Sequence, residues 1–138
     1  ALVQTFHDAL ATGKLDFTLA FRRLTEWANG NLEHSPIPEL FTPSESLSRW
    51  AQEWHARQKS NNGDQSLIAA NMYRVNPAII PRNHLVQHAI DTVESGHIEW
   101  AQALVDRFAS PYEWQAGDDE WARTPLEEER VTRTFCGT

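Results

Sequence analysis

The sequence predicts an all-α protein: an orthogonal or irregular bundle of about five to six helices over residues 1–110, with an extended, aromatic-anchored tail over 111–138. Three observations predict it. Apolar residues recur at three- and four-residue steps along most of the chain, the spacing that gathers them on one helix face. Residues that start helices stand before those stretches, and residues that stop helices stand after them. The 138 residues, 41% of them hydrophobic, are enough to bury one core.

Residues 2–11 read as the end of one helix, closed at Gly13. In "LDFTLAFRRLTEWANG", Phe17, Ala20, Phe21, Leu24, Trp27 and Ala28 share a face. Asp16 caps that helix, Asn29-Gly30 ends it, and Arg22, Arg23 and Glu26 fall on the side expected to face water. A connector with Pro36 and Pro38 follows over 31–41. In "TPSESLSRWAQEWHARQ", Thr42 caps, Pro43 takes the first helical position and Glu45 completes a capping box. Leu47, Trp50, Ala51 and Trp54 form the buried stripe there. "SNNGD" (60–64) breaks the helix, and Asp64 caps a short one through Met72.

Asn76 precedes Pro77 and Ile80 precedes Pro81, so both are pushed away from helical dihedrals, and each proline lacks a donor. Residues 75–80 are therefore expected to form an extended elbow. Pro81 is placed to open a helix whose apolar face is Leu85, Val86, Ala89, Ile90 and Val93, ended by Ser95-Gly96. Ile98, Ala101, Leu104, Val105 and Phe108 build a last helix, stopped before Pro111. Beyond it Tyr112, Trp114 and Trp121 are expected to anchor the tail. The elbow accounts for the prolines but not for Arg82-Asn83-His84, nor for Ile79-Ile80 in an irregular segment, which something is expected to cover.

Charge narrows the partners. The net charge is -7, which argues against nucleic acid, since phosphate neutralisation needs Lys and Arg. Residues 1–76 set seven basic side chains against eight acidic ones, whereas 77–138 set five against eleven. Asp118-Asp119-Glu120 and Glu127-Glu128-Glu129 supply six of those acids and read as a solvated tail, with docking of a basic partner as the other reading. The single cysteine, Cys136, excludes an internal disulfide and fits a reducing, cytoplasmic setting. No apolar run approaches the ~20 residues that span a bilayer, and no signal peptide is visible. The chain opens on Ala1-Leu2-Val3-Gln4, already helical in pattern and without Met, which suggests a piece of a longer protein.

No active site is legible. His84 and His88 stand four apart on one helix, a metal-gripping spacing, but Leu85 stands where the zinc-protease motif has Glu and no third ligand is evident. Asp16-Phe17 resembles the start of the kinase metal-binding triplet, but Thr18 stands where Gly is required. The six glycines are scattered, so no phosphate loop forms. No nucleophile elbow is present. Catalytic, cofactor-binding and metal residues are thus expected to be absent from this chain. Cys136 is either an inert tail thiol or a reactive one.

The stretch "NPAIIPRNHLVQHAIDTVESGHIEWAQALVDRFASPY" resembles the C-terminal region of the selenoprotein O (SelO/YdiU) family, whose members read Asn-Pro, a few variable or apolar residues, then Arg-Asn-His or Arg-Asn-Tyr. "LDFTLAFRRL" and "SLSRWAQEWHARQ" are similar to two further family segments, and Phe135-Cys136-Gly137-Thr138 sits where members end in Cys-x-Ser or selenocysteine. The resemblance covers essentially the whole chain. His97 departs from the usual Asp after Gly96, and Gly137-Thr138 from the serine-rich ending.

That resemblance implies a parent with a protein-kinase-like fold that binds ATP in a flipped orientation. With Mg or Mn it transfers AMP to hydroxyl side chains of proteins. Its phosphate-binding lysines, metal ligands and catalytic acid would lie upstream of Ala1. It also implies that Cys136 can pair with a thiol of the catalytic region. The expected role of this chain is support of the kinase-like domain of the same protein, with Asn76, Pro77, Pro81, Arg82, Asn83 and His84 as candidates for the joint. The alternative is a free-standing helical interaction module that binds a basic partner.

Overall fold

A computed structural model describes residues 2–29, 44–60 and 64–132. Seven α-helices and no strand form among the described residues: α1 Leu2–Gly13, α2 Phe17–Ala28, α3 Glu45–Ser60, α4 Gln65–Val75, α5 Asn83–Glu94, α6 Glu99–Phe108 and α7 Asp119–Ala122, followed by a 3-10 turn at Glu127–Glu129. The backbone packs into two compact units, residues 1–78 and 79–138. All-α architecture is what the periodicity predicts.

In the first unit α1 packs with α3 and α2 with α4. Aromatic rings fill the space. Phe6 of α1 lies edge-on to Phe21 of α2 at 5.1 Å and tilted against Trp50 of α3 at 4.6 Å. The Trp50 indole N–H also donates to the Leu2 carbonyl at 2.7 Å, so the ring has both an apolar body and a satisfied donor. Leu19, Leu24, Leu47, Ala51 and Ala69 are among the other buried residues. Phe17, expected on the buried face, is exposed.

The caps mostly follow the sequence. Asp16 accepts from the Leu19 N–H at 2.9 Å, and Asp64 accepts from Ser66 and Leu67. Those hydrogen bonds, the Ser66 hydroxyl's above all, lower the Asp64 pKa. Thr42 and Pro43 lie outside the described residues. The Leu47 N–H is accepted by Ser44 Oγ at 3.2 Å, so Ser44 caps α3.

The stop at Gly13 works differently from expectation. The left-handed residue is Lys14, at φ 49, with Leu15 N–H returning to the Leu10 carbonyl at 3.0 Å. Gly13 is instead required by close approach: a Cβ there would meet the Leu15 side chain at 2.9 Å and Ser44 Oγ at 3.1 Å.

The largest correction concerns α2. Arg22, Arg23 and Glu26, expected in water, are buried, with Arg22 and Glu26 each 5% exposed. Glu26 lies 3.9 Å from Arg22 and 3.6 Å from Arg23, at i,i+4 and i,i+3. From α4, Tyr73 places its ring 4.6 Å from the Arg22 guanidinium. Asn76 follows α4 and turns inward. Its Nδ2 donates to Thr25 Oγ1 at 2.8 Å and to the Phe21 carbonyl at 3.4 Å, while its own carbonyl accepts from Arg22 at 3.4 Å. Burial lowers the Arg22 pKa and raises that of Tyr73. The helical period alone could not place Arg22, because Tyr73 and Asn76, some 50 positions away, meet it.

In the second unit α5 packs with α6. Pro81 does not occupy the first helical position. Arg82 is the N-cap residue, extended at ψ 146, and Asn83 begins α5. Ser95 ends the helix. Gly96 follows at φ 87, which a glycine adopts without strain, and the His97 N–H returns to the Thr92 carbonyl at 2.8 Å. Leu85 and Ala89 are buried, but Val86, Ile90 and Val93 of the same predicted face are exposed. On and near α6, Ile98 and Val105 are exposed as well. Ile79 is buried and its N–H donates to the Pro111 carbonyl at 3.3 Å, so the described chain itself covers it.

Candidate functional site

Two arginine clasps turn the acidic end of the sequence into ordered structure. Arg107, near the end of α6, donates from Nε and Nη2 to the Asp118 carboxylate and also to the Ser110 and Glu113 carbonyls. Asp118 further accepts from the Gln115 N–H at 2.6 Å. Expected in a solvated cluster, Asp118 is 1% exposed. Its hydrogen bonds raise the Arg107 pKa, so the guanidinium stays charged. Arg123, just after α7, makes a fork to both oxygens of Glu129 at 2.5 and 2.7 Å and reaches Glu120 at 3.0 Å. Glu129 also accepts from the Leu126 N–H at 2.8 Å, and its pKa falls to about 2, chiefly through the Arg123 hydrogen bonds.

The clasps bring the segment after α6 back to α5. Trp100 of α6 stacks on Trp121 of α7 at 5.0 Å, takes the edge of His88 at 4.7 Å, and donates to the Leu85 carbonyl at 3.5 Å. Trp121 is thus the tail anchor that its position in the sequence suggests. Between these parts runs an open groove of about 570 Å³, lined among others by His84, His88, Trp100, Arg123, Glu128 and Glu129.

His84 is its unusual member. The residue is 7% exposed, and neither ring nitrogen has a hydrogen-bond partner among the described residues. A buried polar group left in that state costs about 1–3 kcal/mol. Burial first, and then the charge of Arg123, lower its pKa and keep the ring neutral, with Glu129 opposing.

The joint candidates fall in different places. Asn76 is engaged within the first unit, on α2, and Pro77 is half-buried beside it. Pro81 and Asn83 are exposed, Arg82 is half-buried and His84 is buried. Asn76 and Pro77 thus belong to the first unit and the other four to the second. Cys136 lies outside the described residues. His84 and His88 share α5, but no group of three His, Cys, Asp or Glu side chains placed to hold a metal occurs among the described residues. No described helix is long and apolar enough to cross a membrane. Sequence reasoning missed Arg107, Arg123, Glu129 and the groove. The alternation of single arginines with acidic triplets was the available signal.

Over 99% of its length the chain is 39% identical to "Protein nucleotidyltransferase YdiU" of Rhizobium meliloti. Identity is 38% to the proteins of the same name in Bradyrhizobium sp. and Rhodopseudomonas palustris, again over 99% of the chain. The chain belongs to the YdiU/selenoprotein O family. It spans 28% of the length of each of these YdiU relatives. No family model matches the chain, and no solved structure matches it.

Proposed function

We propose that this chain is the C-terminal helical part of a YdiU-type protein adenylyltransferase and braces the catalytic body without carrying its chemistry. In this reading the longer polypeptide transfers AMP from ATP, with Mg²⁺ or Mn²⁺, to Ser, Thr or Tyr hydroxyls of other proteins in the cytoplasm. Nucleotide and metal belong to the part outside this chain. The absence of a glycine-rich phosphate loop from the sequence supports placing the nucleotide there.

The observation that carries the reading is the uncovered stripe on α5. Val86, Ile90 and Val93 recur at i, i+4 and i+7, remain exposed, and belong to a chain that makes up 28% of its relatives' length. Covering three half-exposed side chains contributes on the order of 3 kcal/mol to docking. Arg82 and Asn83, at the start of the same helix, supply polar contacts at that joint. Cys136 forms its disulfide with a thiol of the body under oxidising conditions, and a non-reducing peptide map tests this. A Cys136 that stays fully alkylatable removes that role.

The docking experiment uses the remainder of a full-length relative, produced separately and titrated with this chain. Binding is expected, and Ile90→Glu is expected to weaken it at least about tenfold. An unchanged affinity for the variant, or no association at all, would overturn the reading.

A further inference from the structure

We propose that the groove beside His84 binds the arginine side chain of a peptide segment. This goes beyond bracing, since it concerns a ligand of the groove and not the stripe on α5.

The hydrogen-bond inventory of the walls decides the class of ligand. Four carboxylates, Asp91, Glu120, Glu128 and Glu129, face two guanidiniums, Arg123 and Arg130. Arg123 is held by Glu129 and Glu120, whereas the exposed Arg130 meets Glu127 through Nε alone. Arg123 therefore offers little to an anionic ligand, and carboxylates outnumber guanidiniums two to one along the walls. Acceptors are in surplus. Glu128 makes no hydrogen bond or ion pair among the described residues, and Asp91 takes only the Gln87 amide at 2.8 Å.

The second, independent observation is His84 itself. It is more than nine-tenths buried, lines the groove, and has two ring nitrogens without a hydrogen-bond partner among the described residues. A neutral imidazole has one acceptor nitrogen, and a donor seated in the groove is what would satisfy it. A guanidinium suits this arrangement better than an ammonium. Its planar fork can meet the Glu128 carboxylate bidentately while another N–H turns to the imidazole. The volume of about 570 Å³ exceeds one side chain and fits a short peptide segment.

The test follows the His84 ring resonances by NMR in the 138-residue chain. The probes are acetyl-Gly-Arg-Gly-amide, its citrulline counterpart and adenosine monophosphate. The arginine peptide is expected to shift the His84 resonances with saturation at about millimolar concentration, and the uncharged citrulline peptide to bind at least about tenfold more weakly. Glu128 is exposed. Glu128→Gln therefore leaves the fold intact and should weaken the arginine peptide about tenfold. Absence of any shift with the arginine peptide overturns the proposal. So does equal binding of the citrulline peptide, an unaltered affinity of Glu128→Gln, or saturable binding of adenosine monophosphate in its place.

Discussion

α2 and α5 are both twelve-residue helices with one apolar face, and they break the inside-outside rule in opposite directions. α2 buries its charged face, whereas α5 leaves half of its apolar face in water. The difference lies in the surroundings and not in the helices. The charges of α2 are buried together, with Glu26 between two arginines and Asn76 and Tyr73 meeting Arg22. On α5, which packs with α6, Leu85 and Ala89 are buried, while Val86, Ile90 and Val93 stay exposed among the described residues. A helical pattern shows which residues share a face. Whether that face is covered depends on the rest of the protein.

The sharpest way to break the comparison is to unbalance α2. Glu26→Gln leaves two buried guanidiniums without their shared carboxylate. Removing one partner of a buried ion pair costs about 3–5 kcal/mol. Urea unfolding should show a loss of that order. A loss below about 1 kcal/mol would place Glu26 among surface charges, where the sequence put it.

Next in size is the closure over that face. Asn76→Ala removes the donor to Thr25 Oγ1 and the Phe21 carbonyl, leaving fully buried Thr25 without this partner. The expected cost is about 1–3 kcal/mol in the same assay. Asn76→Asp keeps the size but loses the donor and should do no better. If either variant unfolds like the parent, Asn76 does not latch onto α2.

These residues mark where the sequence stopped being legible. The Asp16 and Asp64 caps, the core face of α2 from Ala20 to Ala28 and the end at Gly96 are local, and the residues alone were enough to place them. The burial of Arg22 draws on Tyr73 and Asn76, and no window of neighbouring residues contains both groups. The groove failed for the same reason. Arg107 and Asp118 are eleven apart and Arg123 and Glu129 six apart, in a segment without periodicity, so the acids read as a solvated run. Pro81 stands two positions before the first helical residue, because Arg82 stays extended and takes the N-cap, so α5 begins only at Asn83.

The second unit offers a pH test of its own, carried by Glu129 and His84. Glu129 is held at about 2 in the folded chain against an ordinary 4.5, so its contribution is complete above 4.5 and is lost as pH falls toward 2. His84 works at higher pH. Its folded pKa lies below 6.5, so the unfolded chain takes up the proton first, and stability declines as pH drops below 6.5. The second unit should therefore lose stability in two steps on acidification, read by α5 and α6 amide exchange. His84→Phe should erase the upper step and Glu129→Gln the lower one. An upper step that persists in His84→Phe would assign it to another group.

The smallest expected change is the most discriminating for the exposed face of α5. Ile90 is 46% exposed. In the isolated chain Ile90→Glu gives up half-solvated apolar contact and gains a better helix former, so stability should move within about 0.5 kcal/mol. The same substitution should weaken docking to the remainder of a full-length relative at least about tenfold. A variant neutral alone and damaging in the assembled protein means that Ile90 waits for a cover. A variant that unfolds the isolated chain would mean that α5 already buries it, and the contrast with α2 would disappear.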